Sequence, residues 1–176
     1  MAGFNTLIYE KQNNILTITL NRPEKLNALS SQLLAELGSA IDNTSNDEEI
    51  KVVILTGKGR SFCAGADISD VGFSSMAETE AFFRPIHAIF NRIEELEKPI
   101  IAAINGLALG GGCELSLCCD IRIASKSAAI GVPEINFGFL PGGGGTRWLP
   151  RPRLPSKALE MLFTGEPVTA EEAYRI

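Results

Sequence analysis

The sequence lacks the residue patterns on which several classes of enzyme depend. Its only histidine is His87, and its four cysteines include no CxxC pair. Three of the cysteines lie inside apolar runs, which is typical of reduced, buried thiols in a cytoplasmic protein and not of a metal site. No GxSxG motif is present, so a serine hydrolase is not indicated, and His87, on the face of a predicted helix, is interpreted as structural. The cysteines are Cys63, Cys113, Cys118 and Cys119.

Positive charge is also scarce. Sixteen lysines and arginines stand against 21 aspartates and glutamates, which gives a net charge of −5 and argues against a nucleic-acid-binding protein. The hydrophobic fraction of 45% and the charged fraction of 21% exclude a largely disordered chain. A length of 176 residues predicts one domain.

Targeting and membrane signals are missing as well. The N-terminal segment MAGFNTLIYEKQNN has neither a basic start before an apolar stretch nor an Arg/Ser-rich amphipathic pattern. Secretion and organelle import are therefore not indicated, and we expect a cytoplasmic protein. The window 99–119 resembles a membrane span, with Glu114 as its single charge, but it contains Gly110–Gly112. Glycine costs about 1 kcal/mol relative to alanine in a helix, so we predict a buried strand, a glycine turn and a short buried helix.

Hydrophobic periodicity predicts an α/β chain whose strands are covered on both faces. Ser30 or Ser31 begins a first helix, and a second amphipathic pattern runs from Phe82 to Leu96, with Pro85 either in its first turn or at a kink. No low-complexity linker divides the chain. Strands are predicted at 7–10, 15–20, 52–55, 100–104 and 121–124, with the last three buried.

Glu114 follows three glycines between a predicted buried strand and a short helix. Glycines at a helix start expose backbone N–H groups to a ligand, which suits a phosphate or an oxyanion, although close helix–strand packing explains the glycines equally well. No Gly-Lys-Ser/Thr or GxGxxG spacing supports a nucleotide site. A carboxylate in an apolar stretch needs partners or a task, and in the first turn of a helix the dipole favours its ionised form.

Two further segments contain candidate functional residues. Glu134 precedes the glycines 142–145, and it is either an exposed loop residue or the second carboxylate of an acid/base pair with Glu114. In SFCAGADI, the small residues 64–66 allow a ligand to approach the backbone, and Asp67 is interpreted as the cap of the next turn. Cys63 has no assignable base and is not a predicted nucleophile.

Four sequence blocks follow one another over nearly the whole chain: NRPEKLNALS, SFCAGADI, AINGLALGGGCELSLCCDIRIAS and PEINFGFLPGGGGTRWL. Together, and in this order, they resemble the signature segments of the enoyl-CoA hydratase/isomerase (crotonase) family, in particular its bacterial short-chain hydratase branch. The resemblance implies a single crotonase-like core domain over residues 1–176, built as a spiral of repeated β-β-α units. It also implies a coenzyme A thioester as ligand and an oxyanion hole made of two backbone N–H groups.

The family's functional residues match particular positions in these blocks. The oxyanion donors match Ala66 in AGAD and Gly111 in GGG, and the two glutamates of the hydratases match Glu114 in GGCEL and Glu134 in PEI. The resemblance therefore implies hydration of a 2-trans-enoyl-CoA to a 3-hydroxyacyl-CoA, with both glutamates acting on one water. We expect one of the two carboxyl groups to have a raised pKa. The family's isomerases use the second glutamate alone, so a double-bond isomerase is the alternative.

Coenzyme A carries phosphates, so an acidic protein needs local cations to bind it. Lys25, Lys58 and Arg60 are the candidates, with Lys25 preferred, and solvated surface charge is the alternative for each. No metal, redox cofactor, nucleic acid or membrane partner is implied. By resemblance, the residues that line the coenzyme A path are Leu26, Ala28, Ala64, Asp67, Ile68 and Ser69.

Full-length members of the family carry a further C-terminal helical segment that closes the acyl pocket and packs between the subunits of a trimer or hexamer. Here Thr169–Glu172 is a capping box for a helix of about seven residues, which is too short to be stable alone. We therefore expect a fragment of a longer hydratase that forms homo-trimers or hexamers when complete. A non-catalytic core fragment is the alternative.

Overall fold

The computed structural model describes residues 3–70, 75–151 and 155–176. The strands are β1 (Leu7–Gln12), β2 (Ile15–Leu20), β3 (Val52–Gly57), β4 (Ser61–Cys63), β5 (Ile100–Ile104), β6 (Leu107–Leu109), β7 (Ile121–Ala124), β8 (Ala129–Gly131) and β9 (Val168–Thr169). The helices are α1 (Ser31–Asn46), α2 (Met76–Glu94), α3 (Gly111–Leu117), α4 (Gly145–Trp148), α5 (Pro155–Thr164) and α6 (Ala170–Arg175). Short 3-10 turns lie at Pro23–Lys25, Ile68–Asp70 and Pro133–Phe137. This alternation confirms the predicted α/β class.

The strands form two sheets that grow together along the chain. One has the strand order β1-β2-β3-β5-β7 and the other β4-β6-β8-β9. From β3 onwards, each successive pair of strands adds one parallel strand to each sheet. Helix α2 follows the first of these pairs and α3 follows the second. The chain is therefore the spiral of β-β-α units that the family resemblance implies.

The main core combines the inner face of the larger sheet with the apolar faces of α1 and α2. On β2, alternate residues Leu16, Ile18 and Leu20 are fully buried, and each such side chain contributes about 1.5–3 kcal/mol. Helix α1 begins at Ser30, whose hydroxyl oxygen accepts a hydrogen bond from the N–H of Leu33 at 3.2 Å. Ser30 is thus the cap of this helix, and its predicted position is confirmed.

One prediction about these elements is wrong, and one of two alternatives for another is excluded. The strand β7 is not buried: Ile121 is 50% exposed and Ile123 is 60% exposed, because β7 lies at the edge of the larger sheet with β5 as its neighbour. Of the two positions predicted for Pro85, the first turn is excluded, because α2 begins at Met76 and Pro85 lies in the helix interior. A kink at Pro85 stays a prediction. The apolar pattern from Phe82 covered only part of α2, since its first turns are exposed.

The weakly charged window from 99 to 119 contains β5, β6 and α3, which confirms the predicted strand, turn and short helix and adds one short strand. None of the helices in the described ranges is long and apolar enough to cross a membrane. Near residue 176, the hydroxyl oxygen of Thr169 accepts a hydrogen bond from the N–H of Glu172 at 3.2 Å. Thr169 is thus the N-terminal cap of α6, as the capping box Thr169–Glu172 predicts.

Candidate active site

Helix α3 begins in direct contact with the loop that follows β4. A Cβ on Gly112 would overlap the carbonyl group of Cys63, so the close approach of α3 to Cys63 requires glycine at position 112. Gly110 has a φ of 52°, in the region that side chains rarely adopt. The glycine run therefore packs closely, as one interpretation predicted, and also brings the start of α3 against residues 63–66.

The two predicted oxyanion donors, Ala66 and Gly111, lie side by side across this contact. The amide nitrogen of Ala66 is 3.7 Å from the position that a Cβ on Gly111 would take. Ala66 forms a parallel bridge with Leu29 that uses the N–H of Asp67 and the carbonyl of Gly65, so its own N–H faces away from Leu29. Gly111 is the first residue of α3, where an N–H has no acceptor within the helix. Neither N–H donates a hydrogen bond within the described residues.

Glu114 is a buried carboxylate held by the glycine loop between 142 and 145. It is 2% exposed; its Oε1 accepts from the N–H of Gly145 at 2.6 Å and its Oε2 from that of Gly143 at 3.2 Å. Burial raises the pKa of Glu114 from 4.5 to about 7, and the nearby Glu134 contributes in the same direction. The helix dipole favours the ionised form, as expected, but loss of water outweighs the dipole and the amide hydrogen bonds, so the pKa of Glu114 lies above its usual value.

Glu134 lies in the turn Pro133–Phe137, on the other side of the glycine run. Its Oε1 is 3.0 Å from the position that a Cβ on Gly110 would take, and its Oε2 is buried without a hydrogen-bond partner among the described residues. Burial raises the pKa of Glu134 above 4.5. It is therefore not the ordinary exposed loop residue of the alternative interpretation. A buried carboxylate oxygen without a donor is costly unless it binds something.

The two carboxyl groups thus converge on the Gly110–Gly111 peptide. The Oε2 of Glu114 is 3.8 Å from the position of a Cβ on Gly111, on the same turn that Glu134 approaches. The pKa of both carboxyl groups is raised, whereas the sequence predicted this for one. Two N–H donors beside two such carboxyl groups can stabilise a developing oxyanion and transfer protons next to it.

The residues predicted to line a coenzyme A path come from two segments that pair with each other. The N–H of Ala64 donates to the carbonyl of Leu26 at 3.1 Å, and the N–H of Asp67 donates to that of Leu29 at 3.0 Å. Leu26 and Asn27 have left-handed φ values of 51° and 57°, which turn the chain back after Pro23–Lys25. Ala66 is therefore held in place by the segment 26–29.

Asp67 is occupied by contacts within the protein. Its Oδ1 accepts from the N–H and the hydroxyl of Ser69, as a turn cap does, and its Oδ2 accepts from Arg22 at 2.8 Å. The Ser69 hydroxyl, followed by the Arg22 guanidinium, holds the pKa of Asp67 below its usual range against the effect of burial. Ile68 is exposed and Ala28 is half-buried, with its carbonyl accepting from Arg22. The residues predicted to line the coenzyme A path therefore lie together, but the Asp67 side chain is used in contacts with Arg22 and Ser69.

Comparison with known proteins identifies the family. Residues 10–176 match the family model described as enoyl-CoA hydratase/isomerase. This chain belongs to that family. It is 47% identical over 173 residues to the short-chain-enoyl-CoA hydratase of Clostridium acetobutylicum, covering 98% of this chain and 66% of the relative. It is 42% identical over 175 residues to the crotonyl-CoA hydratase of Syntrophomonas wolfei, covering 99% of this chain and 67% of the relative.

Solved structures of the family have the same fold. The enoyl-CoA hydratase from Bacillus anthracis matches with a TM-score of 0.93 and 39% identity, covering 97% of this chain and 67% of that one. A Geobacillus kaustophilus enoyl-CoA hydratase matches with a TM-score of 0.91 and 41% identity, covering 98% and 66%. The crotonase fold is therefore confirmed. The chain spans about two thirds of the length of these relatives, between 66% and 67%.

Sequence reasoning missed two residues that build the site of this family member. Asn27 is fully buried; its Oδ1 accepts from the N–H of Arg22, and its Nδ2 donates to the carbonyls of Lys58 and Ser61. Arg22 links the same segment to Asp67. The only signal available was an arginine and an asparagine inside the NRPEKLN block, and neither residue type is unusual near a turn.

The cysteine thiols have no assigned role in the proposed proton transfers. All four are buried and free, and burial raises the pKa of the Cys63 thiol to about 12, which opposes a nucleophilic role. Among the described residues, no group of three or more His, Cys, Asp or Glu side chains is arranged to hold a metal ion.

Proposed function

We propose that this chain carries the catalytic centre for the reversible hydration of 2-trans-enoyl-CoA to 3-hydroxyacyl-CoA. The observation that carries the proposal is the convergence of Glu114 and Glu134 on the Gly110–Gly111 turn. The N–H of Gly111 in this turn lies beside the N–H of Ala66. The names of the relatives, short-chain-enoyl-CoA hydratase and crotonyl-CoA hydratase, support it.

The amides of Ala66 and Gly111 supply the electrophilic half of the reaction. A thioester carbonyl withdraws charge from the conjugated double bond, so attack of water on the β-carbon places negative charge on the thioester oxygen as an enolate. Two N–H groups fixed before the reaction stabilise that charge, and removal of one such donor typically costs about 10²–10³ in rate.

Glu114 and Glu134 supply the proton transfers. Glu114 is anchored through both oxygens and holds and deprotonates the water, whereas Glu134, with a free Oε2, shares that water and delivers a proton to the α-carbon. In dehydration the same groups act in reverse. A pKa of about 7 allows Glu114 to exchange a proton near neutral pH. An isomerase has no water to activate and needs only one of these glutamates, so two converging carboxyl groups favour hydration.

The phosphates of coenzyme A need positive charge outside this buried centre. Lys25, Lys58 and Arg60 are exposed, and a Cβ on Gly59 would lie 3.2 Å from Cβ of Pro23, so the turns that carry these cations are adjacent. They bind the phosphates, while the backbone of the segments 26–28 and 64–69 lines the rest of the ligand.

The wider biological setting belongs to the same proposal. Four free, buried thiols are typical of a reducing compartment, which supports a cytoplasmic location. Hydration of an enoyl-CoA is a step of fatty-acid β-oxidation, the pathway we propose for it. The reaction needs no cofactor beyond the coenzyme A of the substrate, and the complete protein is proposed to be a homo-trimer or hexamer by resemblance to the family.

The test follows the loss of enoyl-thioester absorbance of crotonyl-CoA with this chain, with Glu134→Gln and with Glu114→Gln. We expect turnover by the unsubstituted chain and a loss of about 10²–10⁴-fold in each variant, with unchanged circular dichroism. Turnover that survives both substitutions contradicts the assigned residues. No turnover by the unsubstituted chain overturns the proposal that these 176 residues catalyse the reaction, and leaves family membership intact.

A further inference from the structure

The glycine loop that holds Glu114 is itself held from its other side by α2. The Nε2 of His87 contacts the carbonyl oxygen of Gly142, and because a carbonyl can only accept, the imidazole donates. The ring of Phe83, one helical turn earlier, packs so closely on Gly142 that a Cβ there would lie 2.5 Å from it. The loop is therefore enclosed between α2 and the Glu114 side chain.

The same face of α2 continues this contact along the next segment. Arg147 donates to Oδ1 of Asn91 at 3.3 Å and to Oε2 of Glu94 at 2.9 Å. His87, Asn91 and Glu94 follow one another at helical spacing, so they lie on one side of the helix. Within the described residues, His87 is the side chain of this face that hydrogen-bonds to the backbone of the glycine loop, whereas Phe83 packs on it without a hydrogen bond.

One peptide group joins His87 to Glu114. The carbonyl of Gly142 and the N–H of Gly143 belong to a single planar unit, and in a trans peptide they point in opposite directions. On one side His87 donates to the carbonyl, and on the other side the N–H donates to Oε2 of Glu114 at 3.2 Å. Both residues of this peptide are glycines, which leave its orientation free unless side chains fix it.

We propose that His87 is a positioning residue for Glu114, acting through the 142–143 peptide. The hydrogen bond from His87 to the Gly142 carbonyl fixes the orientation in which the Gly143 N–H donates to Oε2 of Glu114. Without it, the peptide rotates and Oε2 loses the Gly143 donor, while the Gly145 N–H stays on Oε1. The inference rests on the proposed function, in which Glu114 handles the attacking water.

The kinetic test compares His87→Phe, which keeps a ring against Phe83 but has no donor, with His87→Gln, which keeps an N–H. The two rings are stacked with centroids 6.4 Å apart, so the Phe variant preserves the packing. We expect kcat to fall by roughly 10- to 100-fold in His87→Phe with KM and Tm nearly unchanged, because displacement of a reacting group by about 1 Å has this effect. His87→Gln recovers most of the loss.

Arg84→Gln is the matched control, because Arg84 lies on α2, is exposed and pairs with Glu80 on the helix surface. Its kcat is expected to equal that of the unsubstituted chain. An unchanged kcat in His87→Phe, or the same loss in His87→Gln as in His87→Phe, overturns the proposal.

A second measurement does not depend on catalysis. In the unsubstituted chain the amide proton of Gly143 is hydrogen-bonded, so its NMR resonance is shifted downfield and its exchange with solvent is slowed. In His87→Phe we expect an upfield shift and exchange faster by up to about tenfold, the equilibrium effect of one hydrogen bond, with recovery in His87→Gln. If the unsubstituted chain has no hydratase activity, the proposed function fails, and this resonance still decides the role of His87: an unchanged Gly143 signal overturns it.

Discussion

Arg22 and Asp67, separated by 45 positions in the sequence, form an ion pair of 2.8 Å that ties the segment before α1 to the loop carrying the Ala66 amide. The Asp67 side chain is 9% exposed and the Arg22 side chain 17%, so the pair is largely removed from water. It therefore adds a side-chain link to the backbone pairing that holds Ala66, one of the two proposed oxyanion donors.

Breaking that pair is expected to destabilise the fold. Arg22→Gln leaves Asp67 as a nearly buried charge without its cation, which costs about 3–5 kcal/mol when a buried pair loses one partner. Urea unfolding measures the change, and kcat for hydration of crotonyl-CoA is expected to fall because the proposed oxyanion donor Ala66 shifts. The exposed pair between Arg84 and Glu80 is the control: Arg84→Gln changes the unfolding free energy by less than about 1 kcal/mol. Equal effects of the two substitutions contradict this prediction.

The contact between α3 and the loop after β4 predicts a strict requirement for glycine at 112. A Cβ in Gly112→Ala would overlap the Cys63 carbonyl, which is backbone and unable to yield without moving the loop. We expect a loss of about 3 kcal/mol or more in the free energy of unfolding, or insoluble protein. Gly3→Ala, where a Cβ would meet nothing within 4 Å, is the neutral control. A Gly112→Ala protein as stable as this control shows that the contact is wrong.

The raised pKa of Glu114 makes stability depend on pH in a defined direction. Because the group titrates near 7 when folded and near 4.5 when unfolded, the folded protein binds the proton more tightly. Its contribution to stability is present in full below about pH 4.5 and is lost as pH rises through about 7, which amounts to about 3 kcal/mol.

Glu114→Gln removes this titration. The difference in unfolding free energy, unsubstituted minus variant, is therefore expected to be smaller at about pH 8 than at about pH 4.5 by about 3 kcal/mol. Chemical denaturation at the two pH values measures it. A difference that stays constant with pH contradicts the raised pKa.

The substitution Glu114→Ala distinguishes a hydratase from an isomerase. Glu114→Ala is expected to lower hydration of crotonyl-CoA by about 10²–10⁴-fold, since the water loses the group that holds it. An isomerase acting on a 3-enoyl-CoA would keep most of its rate in this variant and lose it in Glu134→Ala. Isomerisation that depends on Glu134 alone, together with negligible hydration, would replace the proposed function by the alternative.

Local patterns in the sequence predicted much of the fold. Alternating apolar residues predicted β2, and continuous apolar runs predicted β3 and β5. These strands could be predicted because the hydrophobic pattern lies within each strand's own residues. The strands β4, β6 and β8 have three residues each and were not predicted, since so short a segment has no period to detect. The exposure of β7 was also missed, because a strand's position at a sheet edge is not encoded in its own residues.

The sequence by itself determined the family, the α/β class and the two glutamates that stand among glycines, because each is carried by neighbouring residues. Only the tertiary structure decided that the glycine loop holds Glu114, that burial raises its pKa, and that Arg22, Asn27 and His87 support the site. These contacts join residues that are distant in the chain. Their energies come from the exclusion of water and from hydrogen-bond geometry, which exist only after the β-β-α turns have packed together.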